Sequence, residues 1–479
     1  MDHYSILGIL RDATQEEIKR AYLNAAQRLH PDKNVAPGET ELFLDVQRAY
    51  EALSNPISRA RYDATLPKEE QLESPVVPEI QYSRPNLVRL QESQLVYAML
   101  DVHPRADKEK FSAPPLNVCL VLDRSTSMKE GKMELLKAGA IQFLRSMRPE
   151  DIISMVAFSD NAEVVFPSTF QADRLKLESQ IRAILPSGAT EIYKGLKAGV
   201  EEARRGLRAG RVSHVILLTD GQTYGDEEAC LQLASQAAEE GIGISVMGIG
   251  ADWNDTFLDQ VAGRTGNTSH FIARPQDIQK YLNEKFHALT RVFADEVHLE
   301  YKPVEGVSLN YAFRLQPEAG PVSTGETMRL GSILRDSHLS VVFEFLIRPE
   351  ALQANEVNFL DGLLKVSIAM RPAPLPPIRM KFIRPVSTEA GTTPPPLSIL
   401  QALSRLTLYR MQERARHQVH DGEFDKATRS LKNLASRLLS QGETSLAKTV
   451  MLEIENISRM SNLSQEGEKE IKYATRALL

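Results

Sequence analysis

Cysteine is scarce: the 479 residues hold two, Cys119 and Cys230. Cys119 sits in an apolar run and Cys230 in a helical pattern. That excludes a disulfide framework and a cysteine-based zinc module, and leaves two buried free thiols in a reducing compartment as the expectation. Long apolar runs are missing too. Stretches such as 118–122 and 215–218 fall far short of the roughly 20 residues that a membrane-spanning helix needs. Residues 1–4 carry neither a basic region nor an apolar core, so no secretory signal is expected, and a cytoplasmic location is. Basic excess is absent: 57 Lys and Arg stand against 63 Asp and Glu, a net charge of -6. Nucleic acid is therefore not expected as the main partner, and neither is a membrane. Gly241-x-Gly243 and Gly248-x-Gly250 lack the Lys-Ser/Thr of a phosphate loop. The histidines show no ligand spacing to Cys or Glu, and Ser125 lies in no nucleophile elbow.

What is present is ordinary packing material, 42% hydrophobic and 25% charged, over a length that suggests about three domains. Residues 1–66 read as helical. Ile18, Ala21, Tyr22, Ala25 and Leu29 share one face, as do Leu42, Phe43, Val46, Ala49, Tyr50 and Leu53. Pro31 and 35–38 separate the two helices into a hairpin, and 57–63 reads as a closing turn. Residues 67–80, with Pro67, Pro75 and Pro78, read as a linker. Period-two alternation in 81–115 and 291–387 suggests a β-sandwich. Between its parts, residues 116–290 alternate apolar strands with helices, which means a mostly parallel sheet covered on both faces and inserted into the sandwich. Residues 388–397 read as a second linker. Residues 396–479 read as a helical tail broken at Gly422 and Gly442, with Arg405, Arg410, Arg414 and Arg416 on a solvated face. The fold class is thus multidomain α + β: an all-α N-terminal unit, a β-sandwich with an inserted doubly wound α/β domain, and a C-terminal helical region.

Within the α/β segment, Asp123, Ser125 and Ser127 follow the strand at 117–122. Ligands of open α/β sheets bind beyond the carboxyl ends of the strands, at a topological switch point. Ser187-Gly188-Ala189-Thr190 and Thr219-Asp220-Gly221-Gln222 reach the same edge. Two carboxylates and three hydroxyls, without Cys or His, suit Mg2+, with Mn2+ or Ca2+ as substitutes. These residues resemble the metal-ion-dependent adhesion site of von Willebrand factor A domains, a likeness that covers 116–290. The resemblance implies Ser125, Ser127 and Thr190 as metal ligands, with Asp123 and Asp220 as direct or water-bridged anchors. It also implies an open position filled by a carboxylate from a partner protein. Thr126 and Ala189 depart from it, each standing where that family commonly has glycine.

His30-Pro31-Asp32 lies in the loop of the first hairpin, after Lys19, Arg20 and Arg28 and before Lys33. With Tyr4-Ser5-Ile6-Leu7-Gly8-Ile9 ahead of it and Ala49–Pro56 and Arg61-Tyr62-Asp63 behind, the segment 1–66 resembles the J domain of DnaJ-type co-chaperones. The resemblance implies docking on a DnaK-class chaperone. Lys19, Arg20, Arg28 and Lys33 would steer the encounter, and His30, Pro31 and Asp32 would trigger ATP hydrolysis. No glycine-rich cysteine-zinc region follows, so client binding would fall to the downstream domains.

Together these readings describe a non-enzymatic adaptor that grips one protein through a metal and brings a chaperone to it. The alternative is a scaffold or regulatory component of a bacterial stress, defence or MoxR-type AAA ATPase system, with an AAA ATPase as partner. A metal-dependent hydrolase fits poorly, because charged ligands are few and no general base adjoins them.

Overall fold

The computed structural model describes residues 3–9, 11, 13–29, 39–65, 74–105, 112–129, 131–171, 173–222, 225–371 and 375–479. The N-terminal unit comprises α1 (His3–Leu7), α2 (Gln15–Leu29), α3 (Glu39–Ser54) and α4 (Pro56–Asp63). Thr14 and Glu17 cap the start of α2 reciprocally: Glu17 N donates to Thr14 Oγ1 at 3.2 Å and Thr14 N to Glu17 Oε2 at 2.8 Å. Ile18, Ala25, Val46, Ala49 and Leu53 bury against Tyr4 and Leu7, and Tyr22 stacks on Tyr50. The expected closing turn is a full helix, because Pro56 occupies its first position and Asn55 Oδ1 accepts from Ile57 and Ser58 N. Arg59 of that helix donates to the carbonyls of Ala13 and Arg11, each at 2.7 Å, and ties α4 to the N-terminal turn. Lys19 and Arg20 are exposed on α2, and Arg28 belongs to its last turn. His30, Pro31, Asp32 and Lys33 lie outside the described residues.

The linker expected over 67–80 is shortened by the structure, because Val76–Tyr82 forms strand β1. Among the described residues it pairs only with the third strand of the chain and sits at its sheet's edge, where Pro78 withholds no bond from a second neighbour. Then come β2 (Leu87–Val88) and β3 (Gln94–Pro104). The chain next builds the α/β unit: β4 (Leu116–Asp123), α5 (Lys132–Ser146), β5 (Ile152–Phe158), β6 (Ala162–Phe170), α6 (Arg174–Arg182), α7 (Ile192–Arg205), β7 (Val212–Thr219), α8 (Glu227–Glu239), β8 (Ile242–Ile249), α9 (Asp255–Arg264), β9 (Ser269–Ile272) and α10 (Ile278–Thr290). Its sheet runs β6-β5-β4-β7-β8-β9, parallel except for β6. Every residue of β4 and β7 is buried, which is why both read as unbroken apolar runs. From β4 the chain goes to β5 on one side and later to β7 on the other. The switch point therefore opens between the ends of β4 and β7, at Asp123 and Asp220.

The chain returns to the sandwich through β10 (Val292–Lys302), β11 (Val307–Gln316), β12 (Gly320–Pro321), β13 (Thr327–Leu334), β14 (Leu339–Ile347), β15 (Glu356–Ser367) and β16 (Ile378–Ser387). The sheets are β1-β3-β14-β11-β12 and β13-β10-β15-β16-β2. Leu100, Leu299, Phe343, Phe345 and Phe382 belong to their shared core. Because β3 pairs with β14, the α/β unit is an insertion between partners of one sheet.

Asp295 on β10 shows an electrostatic strain in this junction. Burial pushes its carboxyl up to about 6, although Ser367 and backbone bonds pull it down, and its Oδ1 has no hydrogen-bond partner. The folded state thus keeps a proton that the unfolded chain loses from about pH 4, so stability falls as pH rises from 4 to 6. Asp295→Asn is expected to raise stability at pH 7.5 by about 1–3 kcal/mol and to leave it nearly unchanged at pH 4. Urea melts at the two pH values check this, and equal effects at both would contradict it.

The last four helices are α11 (Leu397–His420), α12 (Phe424–Ser440), α13 (Thr444–Met460) and α14 (Gln465–Ala477). Left-handed Gly422 and Gly442 end the first two, and a third break, absent from the sequence reading, falls at left-handed Ser461. Ile399, Leu406 and Tyr409 of α11 pack on Phe313 and Val342 of the sandwich. The arginines of α11 are not simply a solvated face: Arg410 pairs with Glu344, and Arg416 with Glu468 and, at 3.0 Å, with Asp255. Among the described residues, no helix is long and apolar enough to cross a membrane.

Candidate functional site

Three loops meet beyond the carboxyl ends of β4 and β7. Asp123 is the last residue of β4 and is fully buried. Its Oδ1 accepts from Ser125 N at 2.8 Å and its Oδ2 from Thr219 Oγ1 at 2.6 Å. Burial lifts its carboxyl to about 6 against the pull of those bonds. Asp123 thus holds the loop's shape, with both oxygens already engaged.

A 3-10 turn over Thr126–Met128 then reverses the chain and buries Met128, which returns Ser127 to the site. Ser125 Oγ and Ser127 Oγ lie 2.9 Å apart. Ser127 Oγ donates to Asp220 Oδ1 at 2.6 Å, and Lys132 Nζ to Asp220 Oδ2 at 2.7 Å. Asp220 and Ser125 are buried, whereas Ser127 is exposed, so the cluster opens to solvent at Ser127.

The loop before α7 is stitched to the first by backbone bonds. Ser187 N donates to Arg124 O at 2.7 Å, and Thr126 N to Gly188 O at 3.0 Å. Gly188 is left-handed, and a Cβ there would lie 2.6 Å from Asp160 Oδ2. Asp160 in turn accepts from Ala189 N at 2.6 Å and fixes the approach to Thr190. A Cβ at Gly221 would lie 2.8 Å from Thr190 Oγ1, so the bare glycine is what lets Thr190 sit against the Asp220 loop. Neither Thr126 nor Ala189 has positive φ, which explains why both positions do without glycine.

The structure therefore brings Asp123, Ser125, Ser127, Thr190 and Asp220 to one crevice. Among the described residues, no group of three or more His, Cys, Asp and Glu forms a metal-binding cluster. Any cation here would rest chiefly on hydroxyls, a set of hard oxygens that fits Mg2+ chemistry. Three contributors were not singled out from sequence. Thr219 was visible only as part of its loop, Asp160 sits in a turn far from the motif, and Lys132 has no distinctive spacing.

Comparison with known proteins divides the chain in the same order. The DnaJ domain model matches residues 2–63, the von Willebrand factor type A domain model 117–284, and the Sll0103-like, C-terminal alpha-helical domain model 397–479. The "Uncharacterized protein sll0103" of Synechocystis is 30% identical over 234 residues, covering 46% of this chain and 55% of that protein. The chaperone protein DnaJ of Trichormus variabilis is 56% identical over 62 residues, 13% of this chain and 16% of that one. The chain thus spans about half the length of the first relative and a small part of the second. A solved von Willebrand factor type A protein from Catenulispora acidiphila superposes with a TM-score of 0.67 at 16% identity, over 85% of this chain and 98% of its own. That likeness is one of fold.

Proposed function

This chain joins a DnaJ domain to a von Willebrand factor type A domain and carries an Sll0103-like helical domain, and from that premise we propose a non-enzymatic adaptor. The α/β unit holds a protein partner through a divalent metal, Mg2+ foremost, and the J domain brings a DnaK-class chaperone to that partner in the cytoplasm. The observation that carries the reading is the hydroxyl–carboxylate chain Ser125–Ser127–Asp220, open to solvent at one end and anchored on buried carboxylates.

Ser125, Ser127 and Thr190 would hold the cation, and Asp123 and Asp220 would anchor it directly or through water. When bound, the metal supplies an electrophilic position for a partner's carboxylate. The chain's own residues do the rest. Asp123 and Thr219 hold the loop, Asp160 and Gly188 aim Thr190, and the buried strands exclude water from behind. On the J domain, exposed Lys19 and Arg20 favour an acidic docking surface, an attraction that fades with salt. His30, Pro31 and Asp32 act as the trigger, with Arg28 and Lys33 beside them.

The test is the steady-state ATPase of a DnaK-class chaperone with the full chain and with its His30→Gln variant. Stimulation by the wild type and its loss in the variant are expected. Equal rates would sink the co-chaperone half of the proposal. Selective recovery of an AAA ATPase by the α/β unit, in place of unfolded clients, would favour the scaffold reading.

A further inference from the structure

We propose that Lys132 is a tethered cation that occupies Asp220 until a divalent metal displaces it, and so sets how tightly the site takes metal. This rests on the metal reading above and deepens it.

Lys132 is the first residue of α5 and follows Gly131, whose φ of +88° turns the chain into the helix. That turn brings its ammonium back over the site, 2.7 Å from Asp220 Oδ2. The pair is asymmetric: the aspartate side chain is 1% exposed and the lysine 30%. A carboxylate so deeply buried is costly unless a cation or strong donors match it. Ser127 supplies one donor to the other oxygen at 2.6 Å, and Lys132 supplies the charge. Both oxygens of Asp220 are therefore engaged, and the hydroxyl proton of Ser127 is directed at Asp220.

A metal entering this crevice meets a site whose charge is already partly balanced. It must replace the Lys132 ammonium on Asp220, either directly or through water, and it must overcome repulsion from that ammonium. The lysine can leave without a burial penalty, since its side chain already reaches solvent. Displaced from Asp220 but still tethered by α5, its ammonium stays at the rim, so the metal and the ammonium together face Asp123 and Asp220. The balance turns positive, which is the sign that an acidic partner needs. The same residue thus balances the buried charge of Asp220 and adds to the attraction once metal is in.

The experiment is a titration of the full chain with Mn2+, followed by the electron paramagnetic resonance of free Mn2+, for the wild type, Lys132→Met and Lys132→Arg. Loss of a charged hydrogen bond from the competing state should tighten Mn2+ binding to Lys132→Met by about 10- to 100-fold, with Lys132→Arg staying near the wild type. In chelator, Lys132→Met should melt below the wild type, because Asp220 has lost its counter-charge, and Mn2+ should raise its melting temperature more. Binding by Lys132→Met alone would also support the proposal, with Lys132 as a stronger competitor. Equal or weaker binding by Lys132→Met than by a wild type that binds would overturn the role of Lys132 and leave the metal reading standing. No Mn2+ on any of the three would overturn the metal reading, and this inference with it.

Discussion

Replacing Asp259 with alanine is expected to destabilise the chain by about 3–5 kcal/mol and to release α14 from the α/β unit. Asp259 lies on α9 with its side chain only 10% exposed. Arg476 reaches its carboxylate with Nη1 at 3.0 Å and Nη2 at 2.7 Å, Lys472 Nζ stands 2.7 Å away, and Ser269 Oγ donates as well. Lys472 and Arg476 are almost wholly buried themselves. Without Asp259, the guanidinium keeps the Tyr409 hydroxyl and the Tyr473 ring but loses its carboxylate. Asp255 cannot take over, since it already serves Lys472 and Arg416. A buried cation with no counter-charge is among the costliest defects a fold can carry.

The pH dependence of this clamp follows from the direction of the Asp259 shift. Burial pushes its carboxyl up, but Arg476 and Lys472 outweigh that and hold it well below the usual carboxylate range. The contribution is therefore present above the unfolded value near 4 and is lost only as pH falls through the much lower folded value. Acidification from pH 7 to 5 should leave the clamp closed, in contrast with the pH response assigned to Asp295. Trp253 is the one tryptophan in the sequence; it is buried 5.9 Å from the Tyr473 ring, and so reports the docking directly. Urea melts followed by its fluorescence, with Asp259→Asn as an isosteric control, test the prediction. A loss below about 1 kcal/mol, the range of an exposed pair, would mean that the cluster contributes little.

Asp220→Ala is expected to weaken divalent-metal binding by about 100-fold or more, and Thr190→Ala by at least about 10-fold, with the fold intact in both. Asp220 supplies charge and accepts from Ser127, so its loss leaves the hydroxyls without their anchor. Thr190 supplies only a neutral hydroxyl, hence the smaller effect. Neither change opens the β-sheet, because both residues lie in loops beyond the strands. Lys132, left alone by Asp220→Ala, can turn to solvent. Calorimetric titration with Mn2+ and Mg2+ measures the metal arm, and circular dichroism verifies the fold. Partner binding that persists in excess chelator would show that the metal is not the contact.

The main architecture, and the convergence of most candidate-site residues on one sheet edge, were legible in the sequence for physical reasons that can be named. Strands β4 and β7 are buried on both faces, so they must be continuously apolar, and the polar residues at their ends stand out. Strand β6 was not recognised: it is an antiparallel edge with much of its length exposed and Pro167 within it, so no clean alternation survives. Strand β1 was hidden by Pro78 within it, which an edge tolerates, and by Pro75 just before it. Helix α4 was read as a turn because its cap, Asn55-Pro56, resembles turn chemistry until Arg59 is seen to anchor it.

The order of units, the hydroxyl and carboxylate donors, and the break points at Gly422 and Gly442 were determined by the sequence alone, because burial periodicity and backbone conformation are local properties. Which charge meets which was decided by the tertiary structure. Lys132 falls on Asp220, and Arg416, Lys472 and Arg476 converge on Asp255 and Asp259, across separations of 88 to 217 residues. Long charged side chains have no preferred partner in the sequence. They acquire one only when helix docking removes water from around them and makes an unmatched charge costly.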